Sequence, residues 1–173
     1  MTLSQDLISH AFDLLSPAAN NGNDPSEISS RRSISASYYA LFHAINADAV
    51  ALIAPDVPPE LNHRIQRWFD HAEMKRICGR FTKPVLDQPL KGLIGSAASE
   101  DLQRVASAFA QLQDDRHSAD YDLSFQVSGA AAFQKLALSV FAISAWDRLK
   151  GSSEANIFIL SLLLWKNWEK ERA

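Results

Sequence analysis

Residues 114 to 123 read DDRHSADYDL, placing an arginine, a histidine, a tyrosine and four aspartates within three helical turns. Arginine holds a phosphate or carboxylate through several N–H donors at once. Histidine is the side chain suited to proton transfer near neutral pH, whereas a tyrosine with a pKa of about 10 is a poor base there. Arg116 and Asp120 stand four apart, so on a helix they share a face and can pair. His117 and Tyr121 are also four apart, on a neighbouring face. The apolar stripe Leu102, Val105, Phe109, Leu112 continues by the same three-four alternation to Arg116, Ala119 and Leu123. Arg116 thus falls where an apolar residue belongs. A guanidinium there needs acceptors, an open cleft or an interface, because an unpaired buried charge costs several kcal/mol.

Two other groups could meet an anion. Arg64, Arg67, His71 and Lys75 follow one face at helical spacing and form the clearest local basic stripe, which is equally what an ordinary solvated face looks like. Arg31 lies on the line of Ile34, Tyr38, Leu41, Ile45 and Leu52, the second place where a charge interrupts an apolar face. Arg31, Tyr38 and Tyr39 are the expected neighbours of Arg116. The serines at 29, 30, 33, 35 and 37 lie inside a helix rather than at a strand-to-helix elbow, so they read as helix-packing residues, not nucleophiles.

The elements that position these groups follow from the breakers PAANNGNDP (17–25), APDVPP (54–59), KPVLDQPLKGLIG (83–95) and GSS (151–153). Between them the apolar period is helical throughout, predicting helices over about 2–15, 26–53, 60–81, 98–123, 128–150 and 154–171. Thr2 or Ser4 and Ser128 are the expected N-caps, and Gly151 the expected stop after the fifth helix. The expected fold is all-α, a compact up-and-down bundle of about five to six helices in one domain, 1–173. A chain of 173 residues, 47% hydrophobic and 21% charged, is sized to bury one continuous core.

The net charge of −3 supplies no global attraction for nucleic acid, so any such contact needs a local patch. The single cysteine, Cys78, excludes an internal disulfide, and the first twenty residues lack the pattern of a signal peptide. A reducing, cytoplasmic setting is expected. The run IFILSLLL at 157–164 falls short of the roughly 20 residues that span a bilayer, so no membrane anchor is expected. No phosphate-binding glycine loop and no zinc spacing is present; no metal and no cofactor are expected.

RRSISASYYALFHAI at 31–45 and RHSADYD at 116–122 together resemble the paired signatures of HEPN-domain proteins, especially a prokaryotic branch whose second signature reads Arg-x-x-Ala-Asp-Tyr-Asp. A helix beginning near His63 stands between them in the matching order, and the resemblance covers roughly 28–148. It implies a small all-α bundle that forms a homodimer. Many such proteins are metal-independent ribonucleases of toxin–antitoxin or defence systems, some with a nucleotidyltransferase-like antitoxin partner. It further implies that Arg116 binds phosphate, with His117 or Tyr121 assisting; Arg31, Tyr38 and Asp120, with the basic stripe Arg64, Arg67, His71 and Lys75, are then the residues expected to line an RNA or nucleotide surface. The family's catalytic histidine follows the arginine after a four-residue spacer; here that position holds Tyr121, and His117 is adjacent to the arginine. The departure favours a module that binds RNA or a nucleotide over an endoribonuclease. A third expectation is purely structural: Arg116, Asp120 and Arg31 as a polar network that fixes helix register.

Overall fold

The computed structural model describes residues 2–17, 20–56, 58, 64, 65 and 67–171, with side chains up to Trp168. Within them the chain is all-helical, with no strand: α1 (Leu3–Leu15), α2 (Glu27–Ile53), α3 (His71–Phe81), α4 (Leu90–Ile94), α5 (Glu100–Tyr121), α6 (Gly129–Leu149) and α7 (Ser153–Glu171). Six of the seven begin behind a hydroxyl or carboxylate that accepts an N–H of the first turn. These caps are Thr2, Ser26, Asp70, Ser99, Ser128 and Ser152. Each satisfies one of the donors that a helix start leaves without an intrahelical acceptor. At Thr2 the cap is reciprocal, since the Gln5 side chain accepts the Thr2 N–H in return. Gly151 ends the stretch after α6 at φ 81°, a conformation that side chains resist.

The sequence reading needs correction at four places. The block 60–81 is not one helix: residues 64 and 65 are helical, 67 and 68 turn, and α3 begins only at His71. The break is chemical, because Asp70 is extended (φ −84°, ψ 120°) and caps α3 through the Glu73 N–H. Arg64 and Arg67 therefore do not share a helix face with His71 and Lys75. The breaker 83–95 contains the short α4, which raises the count to seven helices. Leu123, placed on the apolar stripe, lies past the end of α5 and is 98% exposed. Leu52 is likewise exposed.

Contacts gather the chain into two compact units, residues 1–44 with 111–144 and residues 45–110 with 145–173. In the first, Ala11, Ala36 and Leu136 form a core joined by Leu7, Ile8 and Leu15, while Ile34, Ala119 and Ala132 form another with Phe125 and Val127. Small residues at these positions let the helix backbones approach closely. The serines of α2 then bond across the seams: Ser33 Oγ donates to the Ala11 carbonyl (2.9 Å), and Ser139 Oγ donates to the Ser37 carbonyl (2.7 Å). Ser30, Ser33 and Ser37 are fully buried, as helix-packing residues should be. Gly129 opens α6 directly against Pro25, where a Cβ would stand 2.7 Å from the proline ring.

The second unit is centred on aromatic contacts. Phe81 meets Phe158 edge to face at 4.9 Å, Trp146 lies 6.0 Å from Phe158, and Arg80 covers the Trp165 ring at 4.5 Å. Trp146 Nε1 donates to Asp48 (2.7 Å), which satisfies the indole inside the core. Burial pushes the Cys78 thiol far up, so it stays protonated. Among the described helices α6 alone is long and apolar enough to cross a membrane by length and composition. Packed helices meet the same criterion, and Ala132, Leu136, Ser139, Ala142, Ala145 and Trp146 of α6 are buried here.

Two stability measurements check these assignments. The Asp70 carboxyl is held below its usual range, chiefly by the Glu73 N–H and further by Lys166 and His71. A lowered native pKa means that its contribution is complete above the ordinary aspartate value and fades as pH falls through the native one. Asp70→Ala is expected to lose about 1 kcal/mol in urea unfolding at neutral pH, with the difference from wild type vanishing well below about pH 4. Gly129→Ala is expected to lose about 1–3 kcal/mol through the clash with Pro25, and a neutral result in the same titration would refute that close approach.

Candidate functional site

Three residues four apart on α2, Arg31, Ser35 and Tyr39, face the C-terminal end of α5 in the first unit. Arg31 Nη1 donates to the carbonyls of Ala119 (3.1 Å) and Asp122 (2.8 Å), and Nη2 donates to that of Phe125. Its Nε donates to Glu27 (2.9 Å), and its guanidinium lies 5.5 Å from the Phe125 ring centre. One turn on, Ser35 Oγ donates to Asp120 Oδ1. A turn further, the Tyr39 hydroxyl accepts from Arg116 Nη2 (2.8 Å). Ascending positions on α2 thus meet descending positions on α5, an antiparallel seam with a polar contact at every turn.

Arg116 is the centre of that seam. Its Nε stands 2.7 Å from Asp120 Oδ2, so the expected Arg116–Asp120 pair is present, and the side chain is 19% exposed. The guanidinium carbon lies 5.4 Å from the ring centres of both Tyr39 and Tyr121, which hold it from two sides. Burial pulls its pKa down, but electrostatic interaction with Tyr39, Asp120 and Tyr121 outweighs this and leaves it above the ordinary arginine value. Of five N–H donors, one on Nη2 goes to Tyr39, while Nε faces Asp120 as an ion pair without hydrogen-bond geometry. Among the described residues Nη1 has no protein acceptor.

His117 is exposed and its ring lies 5.2 Å from that of Tyr121, which is 64% exposed. The pair forms an aromatic edge beside Arg116. One residue before the arginine, Asp115 is tied to Lys135 of α6 at 2.8 Å. Asp122, beyond the helix, accepts the Ser124 N–H and hydroxyl, and its carboxyl is held low mainly by Ser124 with help from Arg31.

The remaining predicted residues are placed differently. Tyr38 is fully buried, so it cannot face an RNA as expected; its ring packs on Tyr39 and Phe42 in the core. Arg31 holds carbonyls rather than standing open, and it is 18% exposed. Arg64, at the helical residues 64 and 65, and Arg67, on the turn before α3, are exposed, whereas His71 and Lys75 are half-buried on α3. His63 lies outside the described residues. Tyr39 meets Arg116 as expected, whereas Ser35 lies outside the expected site although its spacing of four from Arg31 marks the same face. Among the described residues no three His, Cys, Asp or Glu side chains gather into a metal-binding group. Comparison with protein-family models, curated proteins and solved structures finds no match to this chain.

Arg31 is the residue on which this geometry rests. A lysine has one ammonium and cannot reach three carbonyls from the same stem. Arg31→Lys is expected to lower the unfolding free energy by about 2 kcal/mol and to speed amide hydrogen exchange selectively across residues 119–125. Uniform exchange along the chain would contradict a local role.

Proposed function

We propose that the chain is a HEPN-like module that binds RNA or a nucleotide through a phosphate held by Arg116. The observation that carries this reading is the state of the guanidinium, clamped by Asp120 and Tyr39 while Nη1 keeps its donors. A clamped arginine loses little freedom on binding, and its planar fork suits a phosphate. His117 and Tyr121, exposed at its side, offer ring faces on which a base can stack. The four aspartates of the stretch oppose a long polyanion and favour engagement of one phosphate or a short single-stranded segment. The signature pair of the sequence supplies the family part of the proposal, with a homodimer and a toxin–antitoxin or defence setting as its expected context.

Cleavage is the second reading, favoured by the presence of His117 one residue from Arg116 in solvent. In such a reaction the histidine would take the 2′-hydroxyl proton while Arg116 stabilises the charge on the phosphorane. Binding without turnover fits better, because the spacer position of the family's histidine holds Tyr121.

Wild type, Arg116→Ala and His117→Ala are to be incubated with mixed cellular RNA and labelled oligonucleotides in excess EDTA, with cleavage and retention followed together. The expected outcome is retention by wild type without cutting, reduced at least about tenfold in Arg116→Ala by loss of one charge-assisted contact. Cutting abolished in His117→Ala would establish the second reading instead. Urea unfolding of the same proteins separates binding from architecture. Asp120 reaches water, so Arg116→Ala is expected to lose about 1 kcal/mol, whereas a loss well above about 2 kcal/mol with RNA retention intact would assign the arginine to structure alone.

A further inference from the structure

The first unit carries an apolar groove of about 460 Å³ between α1 and α6, lined by Ile8, Phe12, Phe133, Ala137, Val140 and Phe141. Its walls are aromatic and open to solvent: Phe12 is 54% exposed and Phe141 is 67% exposed. Contiguous surface of this kind on a folded chain marks a place where something docks. None of these side chains takes part in the Arg116 seam, so the inference is independent of the function proposed above.

Charge decides the occupant. The helix α1 contains no lysine or arginine, and its two carboxylates, Asp6 and Asp13, stand seven residues apart, on one side of the helix. Asp13 lies on the rim of the groove. Between Gly129 and Ser144 the only charged residue of α6 is Lys135, and it is committed to Asp115 at 2.8 Å. The groove is therefore apolar at its floor and acidic along one edge, where His10 stands between Asp6 and Asp13, and among the described residues neither wall carries an uncommitted lysine or arginine. A second copy presenting the same face would set carboxylate against carboxylate. An anionic lipid surface would be repelled for the same reason.

We infer that the α1/α6 groove is the docking site for an amphipathic helix of a protein partner, with aliphatic side chains at three- and four-residue spacing and lysine or arginine at seven-residue spacing along one flank. The aliphatic row enters between Phe12 and Phe141, and the basic flank lies against Asp6 and Asp13. This is the helix-in-groove mode, in which apolar anchors supply affinity and the charged edge selects the partner's orientation.

The probe is a fluorescein-labelled synthetic helix of about 18 residues, five turns, with leucines in that pattern and two lysines seven apart; a twin carries glutamates in place of the lysines. Anisotropy titrations use wild type, Asp13→Lys and Phe141→Ser, all exposed positions whose thermal melts should match. The lysine peptide is expected to bind wild type about tenfold more tightly than its twin, Asp13→Lys is expected to reverse that order, and Phe141→Ser is expected to weaken both about tenfold. Absence of binding by either peptide up to about millimolar concentration, or a preference that Asp13→Lys leaves unchanged, overturns the proposal. So does a dimer in sedimentation that Phe141→Ser dissociates, since the occupant is then a second copy.

Discussion

The structure around the site depends on Arg31 meeting the carbonyl end of α5. A helix terminus leaves its last carbonyls without intrahelical partners, and those facing the protein interior must be satisfied by something other than water. Here one guanidinium takes Ala119, Asp122 and Phe125 together and holds the turn that leads back toward α6. Because those three oxygens are fixed in space, Arg31 also fixes how far α2 can slide along α5. Ser35 then falls on Asp120, and Tyr39 on Arg116. A shift by one turn would part Asp120 from Ser35 and the Tyr39 hydroxyl from Arg116.

That register gives nearly every residue of the Ala-Asp-Tyr-Asp stretch a physical task. Ala119 is small because it enters the core beside Ile34 and Ala132. Asp120 accepts from Ser35 and pairs with Arg116, while Asp122 closes the turn through Ser124. Tyr121 covers Arg116 from the solvent side. Architecture thus accounts for both carboxylates and the alanine, and it leaves over the Nη1 donors of Arg116 and the exposed faces of His117 and Tyr121. Chemistry proposed for the stretch has to be done by that remainder.

The helices were legible because their signals are local. Ser26, Ser128 and Gly151 mark ends that differ from the expected bounds by about one residue, and the apolar period between them is regular. The pair Arg116–Asp120 was legible for the same reason, as four residues on a helix impose proximity. What could not be read is whatever depends on two elements meeting. Nothing near Arg31 in sequence announces carbonyls some ninety positions away, and Tyr38 and Tyr39 are neighbours in the chain whose fates diverge only once the α5 side of α2 is known. The basic stripe failed for a different reason. Apolar and basic residues keep helical spacing through Asp70, but that aspartate does better as a cap than as an interior residue, and the helix starts again after it.

Lys135 connects the two faces of the first unit. By pairing with Asp115 it ties α6 to α5 one residue before Arg116, and it removes from the outer wall of α6 the one cation that wall could have shown. The same ion pair that braces the arginine seam therefore leaves Asp13 as the charged side chain that lines the groove. The aromatic surplus of α6 has a related origin. In the first unit its inward positions are Ala132, Leu136, Ser139 and Ala142, because close packing admits little volume there, and Phe133, Val140 and Phe141 are turned outward. They add nothing to the packing with α2. Folding alone would be served as well by polar residues at these positions, so the exposed aromatic face is a feature of recognition rather than of the bundle.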